Sequence, residues 1–307
     1  IPRETLAEFA ALRFGAPEAP EIDRMEEEYI SGVLDKFVMN VTALNTYLRC
    51  PLEFYYNNLV RIPSPKSHTL EFGSAAHYAL EQLFRKMQDD PAEQFPPLEA
   101  FITDFEWYMH RHRESFTREE FDRRMEYGRN ILADYYRERV PGFHKVVAIE
   151  RNIRNVVVDD VPLKGKLDKL EFNGKAVNVV DYKTGNPENA RKKMKNPEAD
   201  PPFGGDYWRQ AVFYKLLVDH YEAKGWYVVS TEFDFLEPDD KKRIRKEKLV
   251  ISDEDTSALR TQVRMVWEKI QQRDFYTGCG KDECHWCNFV KTNKLAVALH
   301  TLETEAD

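Results

Sequence analysis

The sequence predicts an α/β protein, a central mixed β-sheet flanked by helices, with helical segments ahead of the sheet and inserted within it. Three observations carry this expectation. Residues 163–185, LKGKLDKLEFNGKAVNVVDYKTG, read as two strands around a tight turn. Further strand patterns stand at 145–158, 226–236 and 246–251. Long segments with helical apolar spacing precede, separate and follow them. Helices, three strands, helix, two strands and helix is the order expected of a sheet covered by helices.

Residues 1–40 are crowded with acids (Glu18, Glu21, Asp23, Glu26, Glu27, Glu28) and broken by Pro17 and Pro20. They predict an acidic arm, irregular with helical pieces. In VTALNTYLRCPLEFYYNNLV, Thr42 is the expected cap of a helix running to Arg49. Cys50-Pro51 breaks it, Leu52–Leu59 forms a second short helix, and Phe54, Tyr55 and Tyr56 belong to a core. A loop with Pro63 and Pro65 precedes a helix over Leu70–Met87, where Ala76, Ala79, Leu80 and Leu83 keep helical spacing. His77 lies on that helix after Gly73, Ser74 and Ala75, residues small enough to let this turn approach a sheet or ligand closely. Residues 98–138 predict an inserted helical layer rich in arginine and aromatic residues, among them Trp107, Tyr108, Arg111, Arg113, Arg123, Arg124, Tyr135 and Tyr136. Such a layer suits either DNA or, more simply, amphipathic packing with a solvated charged face.

Pro141-Gly142 ends the layer. Lys145–Val158 alternates as a strand containing Glu150, and Asp159-Asp160 turns it into the central hairpin, giving a three-strand meander. Asn173-Gly174 suits a two-residue turn, because both positions tolerate φ > 0. Residues 186–205 read as a loop, and Asp206–Ala223 as a helix with Gln210, Phe213, Tyr214 and Leu217 on one side. Trp226–Leu236 and Lys246–Ile251 are paired strands around Pro238-Asp239-Asp240. Ser252 or Asp253 caps a last long helix to about Arg273, and residues 291–307 form a tail.

The chemistry concentrates in the hairpin. Asp181 and Lys183, two residues apart on a strand, point to one face. Asp168 on the partner strand can join them at the sheet edge. Two adjacent carboxylates repel unless a cation offsets them. Oxygen ligands of this kind suit Mg²⁺ or Mn²⁺. Such an ion activates water and neutralises charge on a phosphoryl oxygen, and Lys183 can position the water or stabilise the transition state. Metal-assisted phosphodiester hydrolysis therefore stands beside the plainer reading of an ion pair at a strand end. Cys279, Cys284 and Cys287 form C-x4-C-x2-C, with Cys50 far upstream. Four thiolates can hold a [4Fe–4S] cluster or a zinc ion, stapling the two ends of the chain, with His285 as a stand-in ligand. Unliganded thiols are the alternative.

A net charge of −8 argues against a bulk polyanion binder and leaves binding to local basic runs, Arg191–Lys193 with Lys195 and Lys241–Arg243 through Lys248. No signal peptide or membrane-length apolar span is evident. Four cysteines do not suggest a secreted disulfide scaffold. A soluble, cytoplasmic protein with no membrane partner is expected.

GKLDKLE (165–171), VVDYKTG (179–185) and a helix carrying QAVFY (210–214) together resemble the PD-(D/E)XK nuclease superfamily, in its RecB-like branch. FGSAAHYALE (72–81) resembles that branch's histidine motif, and YLRCPLEFYY (47–56) the first-cysteine segment of iron–sulfur members such as AddB nuclease domains. The resemblance spans 41–290, with four motifs in order. It implies a restriction-endonuclease-like core in which His77, Asp168, Asp181 and the backbone carbonyl of Tyr182 hold Mg²⁺ or Mn²⁺. Lys183 would be the catalytic lysine, Gln210 and Tyr214 would orient the site, and Glu150 would be an accessory acid. It also implies a [4Fe–4S] cluster on Cys50, Cys279, Cys284 and Cys287, with zinc as the alternative. Iron–sulfur members usually end in C-x2-C-x5-C, whereas Asn293 stands here at the last position and Cys279 would substitute from the other side.

The implied activity is that of a DNA exonuclease in end processing, recombination and repair, nucleoid-associated, acting on single strands or duplex ends. The implied partner is a UvrD-like helicase, in the same chain or as a separate subunit. The sequence holds no G-x-x-x-x-G-K-[ST] motif to drive translocation itself, and a start at Ile1 fits a module of a longer helicase–nuclease. Two rivals are a catalytically silent DNA-binding or scaffolding module and a CRISPR-adaptation-type exonuclease. The latter are usually shorter and lack helices like 98–138.

Overall fold

A computed structural model describes Ile22 and residues 27–64, 67–198 and 201–293. Most of the acidic arm and of the 291–307 tail lie outside the described residues. The elements run α1 (Glu27–Leu34), α2 (Val41–Arg49), α3 (His68–Asp89), α4 (Leu98–Arg111), α5 (Arg118–Arg139), β1 (Val147–Val158), β2 (Val161–Asn173), β3 (Ala176–Lys183), α6 (Asp206–Asp219), β4 (Tyr227–Phe235), β5 (Lys246–Leu249), α7 (Asp253–Gln271) and α8 (His285–Thr292). The strands form one sheet in the order β1-β2-β3-β4-β5. All pairings are antiparallel except β3 with β4, which run parallel. A parallel pair needs a crossover, and α6 lies in that connection. The mixed α/β sheet is the architecture the sequence predicts.

Several boundaries differ from the sequence expectation for local reasons. α2 begins at Val41, so Thr42 is not its cap; it sits in the first turn, where its carbonyl accepts from Thr46 Oγ1 at 2.8 Å. The second short helix is α-helical only over Pro51–Phe54, widens to a π-helix over Tyr55–Val60, and ends at Arg61 in the left-handed region. Phe54, Tyr55 and Tyr56 are buried, as expected. α3 starts early because Ser67 caps it, accepting from the Leu70 N–H. The loop after β3 contains two short helical turns, Pro187–Ala190 and Arg191–Met194. α6 stops at Asp219, not Ala223; the Asp219 carboxylate accepts from the Val228 N–H at 2.6 Å and ties the helix end to the start of β4. Ser252, rather than Asp253, caps α7 through reciprocal bonds with Asp255.

The turns follow backbone chemistry. Asp159 and Asp160 both take positive φ, 50° and 64°, the requirement of a type I′ hairpin. In the next hairpin Asn173 pairs with Ala176, so the loop is Gly174-Lys175, one residue later than expected. Only Gly174 has positive φ there, 63°, as a glycine in the first position of a type II′ turn does.

The described chain divides into two compact units. One comprises 38–41 and 63–264 and contains the sheet. Strand alternation assigns its helices to two faces. Thr231, Phe233 and Phe235 share a face with α6: Thr231 donates to the Ala211 carbonyl, and Phe233 and Phe235 pack with Ala211. Glu232 and Asp234 point to the other face, where Tyr135 of α5 donates to Asp234 at 2.8 Å. On that face Phe72, Leu80, Phe84, Phe101, Phe105 and Leu132 pack with Val180 and Tyr182. Each ring so buried contributes about 1.5–3 kcal/mol. The inserted helices 98–138 are thus first of all a packing layer.

The same face carries a polar ladder across four strands. Lys169, fully buried, lies 3.0 Å from Glu171 and within 4.6–5.3 Å of the ring centres of Phe84, Phe143 and Tyr182. Asn178 donates to Glu171, and Ser230 to Asn178. Lys246 reaches Glu232 at 2.8 Å and Asp234 at 3.2 Å. Burial pulls the Lys169 pKa down more than Glu171 lifts it.

The described residues of the other unit are Ile22, 27–37, 42–62 and 265–293. Its described core is aromatic: Phe54, Tyr55, Phe275 and Tyr276 meet one another, and Tyr56 stacks on Trp286 at 4.5 Å.

Candidate active site

The register of β2 with β3, Lys169 opposite Val180, sets Asp168 level with Asp181. The two are further joined by the Tyr182 N–H, which donates to Asp168 Oδ2 at 3.0 Å. His77 arrives from α3, its Nδ1 3.4 Å from the same oxygen. The small residues before His77 permit this approach: a Cβ on Gly73 would come within 3.2 Å of Thr184 Oγ1.

Glu150 enters from β1. Ile149 pairs with Lys169 and Arg151 with Leu167, so Glu150 is level with Asp168. Its φ of 51° breaks the regular alternation of the strand. Ligand atoms of His77, Glu150 and Asp168 all lie within 4.8 Å of one another. Glu150, expected only as an accessory acid, completes this tight trio, while Asp181 is drawn towards α6.

Asp181 is almost wholly buried. Its Oδ1 accepts from Gln210 Nε2 at 2.9 Å and from the Tyr214 hydroxyl at 2.8 Å. Lys183 Nζ stands 2.7 Å from Oδ2 and forms an ion pair with it. Lys183 also donates to Gln210 Oε1 at 2.8 Å. With Lys183 on its oxygen and Asp181 on its nitrogen, the Gln210 amide has one orientation.

The charges are unequal. Burial raises the Asp181 carboxyl and Asp168 adds to this; Lys183 opposes, and the net shift is upward. Burial also acts on Asp168, but His77 and the Tyr182 N–H outweigh it and hold that carboxyl low. Burial disfavours the His77 imidazolium, yet Asp168, with Asp181 and Glu150 beyond it, lifts its pKa to about 9. Lys183, likewise desolvated, is raised by Asp181 and stays charged. Burial lifts Glu150, against its ion pair with Lys166.

The His77 ring nitrogen and the Glu150 and Asp168 carboxylates, with Asp181 beside them, are a donor set that fits a hard divalent cation. Tyr182 stands between the acids, its ring turned to the opposite sheet face against Lys169.

The cysteines meet in the other unit. Cys50 precedes the Pro51–Phe54 turn, Cys284 is the N-cap of α8, and Cys287 lies on α8. The four Sγ atoms lie within 4.8 Å of one another, with Cys50–Cys287 at 3.8 Å and Cys279–Cys287 at 3.7 Å. Tetrahedral zinc with Zn–S near 2.3 Å gives sulfur separations of about 3.8 Å. The thiols therefore fit one tetrahedral ion more closely than a cluster, whose four irons would stand between the sulfurs. Asn293 donates to the Phe289 carbonyl, and His285 packs on Trp286; neither joins the four.

A cavity of about 650 Å³ holds the acids, Lys183, Gln210 and Tyr214, and is walled in part by Tyr78, Tyr108, Tyr207 and Lys166. Of these wall residues the sequence reading named only Tyr108, as part of the aromatic insertion. Lys166 was open to discovery, two positions from Asp168 on one strand face; Tyr207, adjoining α6's functional face, was less so.

Acids and a lysine converge on neighbouring strands of a mixed sheet, backed by a helix glutamine and tyrosine. The chain belongs to the PD-(D/E)XK nuclease superfamily, whose profile matches residues 38–292. Its fold is similar to that of a candidate exonuclease from Eubacterium rectale, known from a crystal structure, with a TM-score of 0.54 and 14% identity over 87% of this chain and 93% of that one. Comparison with curated protein sequences finds no match. No described helix is long and apolar enough to cross a membrane.

Proposed function

We propose that this chain is a divalent-metal-dependent deoxyribonuclease that degrades DNA from an end. The supporting observation is the convergence of His77, Glu150 and Asp168 within 4.8 Å, beside the Asp181–Lys183 pair. His77, Glu150, Asp168, Asp181 and the Tyr182 carbonyl would hold Mg²⁺ or Mn²⁺. That ion supplies an acidified water and neutralises charge on the phosphate. Lys183, kept protonated by Asp181, stabilises negative charge developing on the phosphoryl group. Gln210 and Tyr214 hold the Asp181 carboxylate through Oδ1, which would leave Oδ2 to Lys183 and the ion. Glu150 occupies an unusual backbone conformation, of a kind that costs about 1–3 kcal/mol and gathers at functional sites.

The reading extends to DNA end processing in repair and recombination, with a helicase feeding the strand. Cys50, Cys279, Cys284 and Cys287 hold a structural metal, with zinc favoured over a [4Fe–4S] cluster by the sulfur spacing.

The test is incubation of end-labelled single- and double-stranded DNA with Mn²⁺, beside Asp181→Asn. Degradation by the wild type alone supports the reading, and mononucleotide release from the label shows exonuclease action. A wild type that binds Mn²⁺ but cuts neither substrate overturns it in favour of a silent DNA-binding module.

A further inference from the structure

We propose that Tyr78, Trp107 and Arg111 form a stacking platform for an unpaired DNA base at the mouth of the active-site cavity. This rests on the nuclease reading and names the form of the substrate. The inward side of α4 is used for packing: Phe101, Phe105 and Met109 are buried. Trp107 is not part of that side and is 48% exposed. Its ring stacks on Tyr78, with centroids 5.2 Å apart and planes 25° from parallel. Arg111, one helical turn on, sets its guanidinium 5.3 Å from the centre of the Trp107 ring.

The stack is continuous with the chemistry. Tyr78 follows His77 directly on α3, and both residues line the cavity that contains Asp168, Asp181 and Lys183. Tyr108, beside Trp107, also lines it and lies 5.3 Å from Tyr78. An exposed tryptophan alone would be unremarkable surface. Here an exposed indole, a tyrosine and an arginine are stacked together, and the tyrosine lines the cavity that holds the carboxylates. Flat aromatic faces with an arginine take bases without regard to sequence. Bases within a duplex present edges, not faces. The occupant that fits is therefore a single strand, one base on the platform and its phosphates leading to Lys183.

The experiment measures binding apart from cleavage, with the full chain in Ca²⁺. Fluorescence anisotropy compares an oligothymidylate, an abasic strand of equal length and charge, and a blunt duplex. The expected result is that the thymidine strand binds about tenfold tighter than the abasic strand. Trp107→Ala erases that difference, Trp107→Phe keeps most of it, and duplex binding is unchanged in both. Tyr78→Leu provides a second variant that reduces the same difference. Equal affinity of the wild type for thymidine and abasic strands, or a Trp107→Ala loss equal on all three ligands, overturns the proposal. Cleavage in Mn²⁺ is scored separately: base-dependent binding without cleavage keeps the platform and removes the nuclease reading, while cleavage without base dependence does the reverse.

Discussion

Removing one oxygen from Tyr214 tests whether α6 positions Asp181, the carboxylate proposed to help hold the metal. The Tyr214 hydroxyl is buried, receives a hydrogen bond from Gln210 Nε2 at 2.6 Å and donates to Asp181 Oδ1 at 2.8 Å. Tyr214→Phe keeps the ring and deletes only the donor. A hydrogen bond to a charged group is worth about 1.5–3 kcal/mol. Outer partners of metal ligands are worth about 10–100-fold in affinity or activity, which is about 1.4–2.7 kcal/mol. The two scales agree. Because Gln210 still serves Oδ1, the expected loss lies at the lower end, about tenfold in Mn²⁺ affinity. Gln210→Ala removes the bonds to both Asp181 and Lys183 and should lose more, approaching a hundredfold. The double variant should fall short of the summed losses, since both donors meet one oxygen. Calorimetric titration with Mn²⁺, paired with kcat/KM on a labelled oligonucleotide, reads these values. Single variants whose Mn²⁺ affinity and turnover both stay within about twofold of the wild type would refute the assignment.

Lys183→Met should reduce cleavage by about 10²–10³-fold, the scale of losing one donor to developing charge, with far-UV circular dichroism unchanged; wild-type turnover would sink the role. Gly128→Ala places a methyl 2.2 Å from Phe105 Cζ and 3.0 Å from Phe72 Cε2. Overpacking, less the helix-propensity gain, should cost about 1–2 kcal/mol, seen as a lower urea midpoint, and an unchanged midpoint would show that Phe105 yields freely. Elemental analysis should find a cysteine-bound metal in the wild type and none in Cys287→Ser, which should also lose the cooperative melting of its unit. Equal metal content in both proteins would place the ion elsewhere.

The sheet was legible wherever a strand carried its own punctuation. Asp159-Asp160 marked one turn, and the β-branched run from Val177 to Val180 marked β3. The glycine located the central hairpin, but the register moved the loop by one residue, with Asn173 paired to Ala176 and positive φ taken up by Gly174 alone. Asp168, Asp181 and Lys183 were legible because period-two alternation is local. Glu150's part was not: its placement depends on a positive φ that no residue type there announces. The four thiols were legible as candidates, but their closeness depends on a chain closure of more than two hundred positions. Trp107 and Tyr108 were visible only as part of an aromatic insertion, since exposure depends on which helical side the core takes up.

On β3, Asp181 and Lys183 face α6, while Tyr182 between them lies against the buried Lys169 on the reverse side. A slip of one residue would turn Tyr182 into the cavity and drive two charges into a layer that already contains Lys169 and Asp234. The strand is thus proofread from both sides, and the separation of the acids is settled when the sheet forms. Their mutual repulsion is offset in part by Lys183 and the His77 imidazolium, and a bound divalent cation would offset it further. Cation concentration should therefore act as a thermostat for this unit, raising its resistance to unfolding whether or not DNA is present.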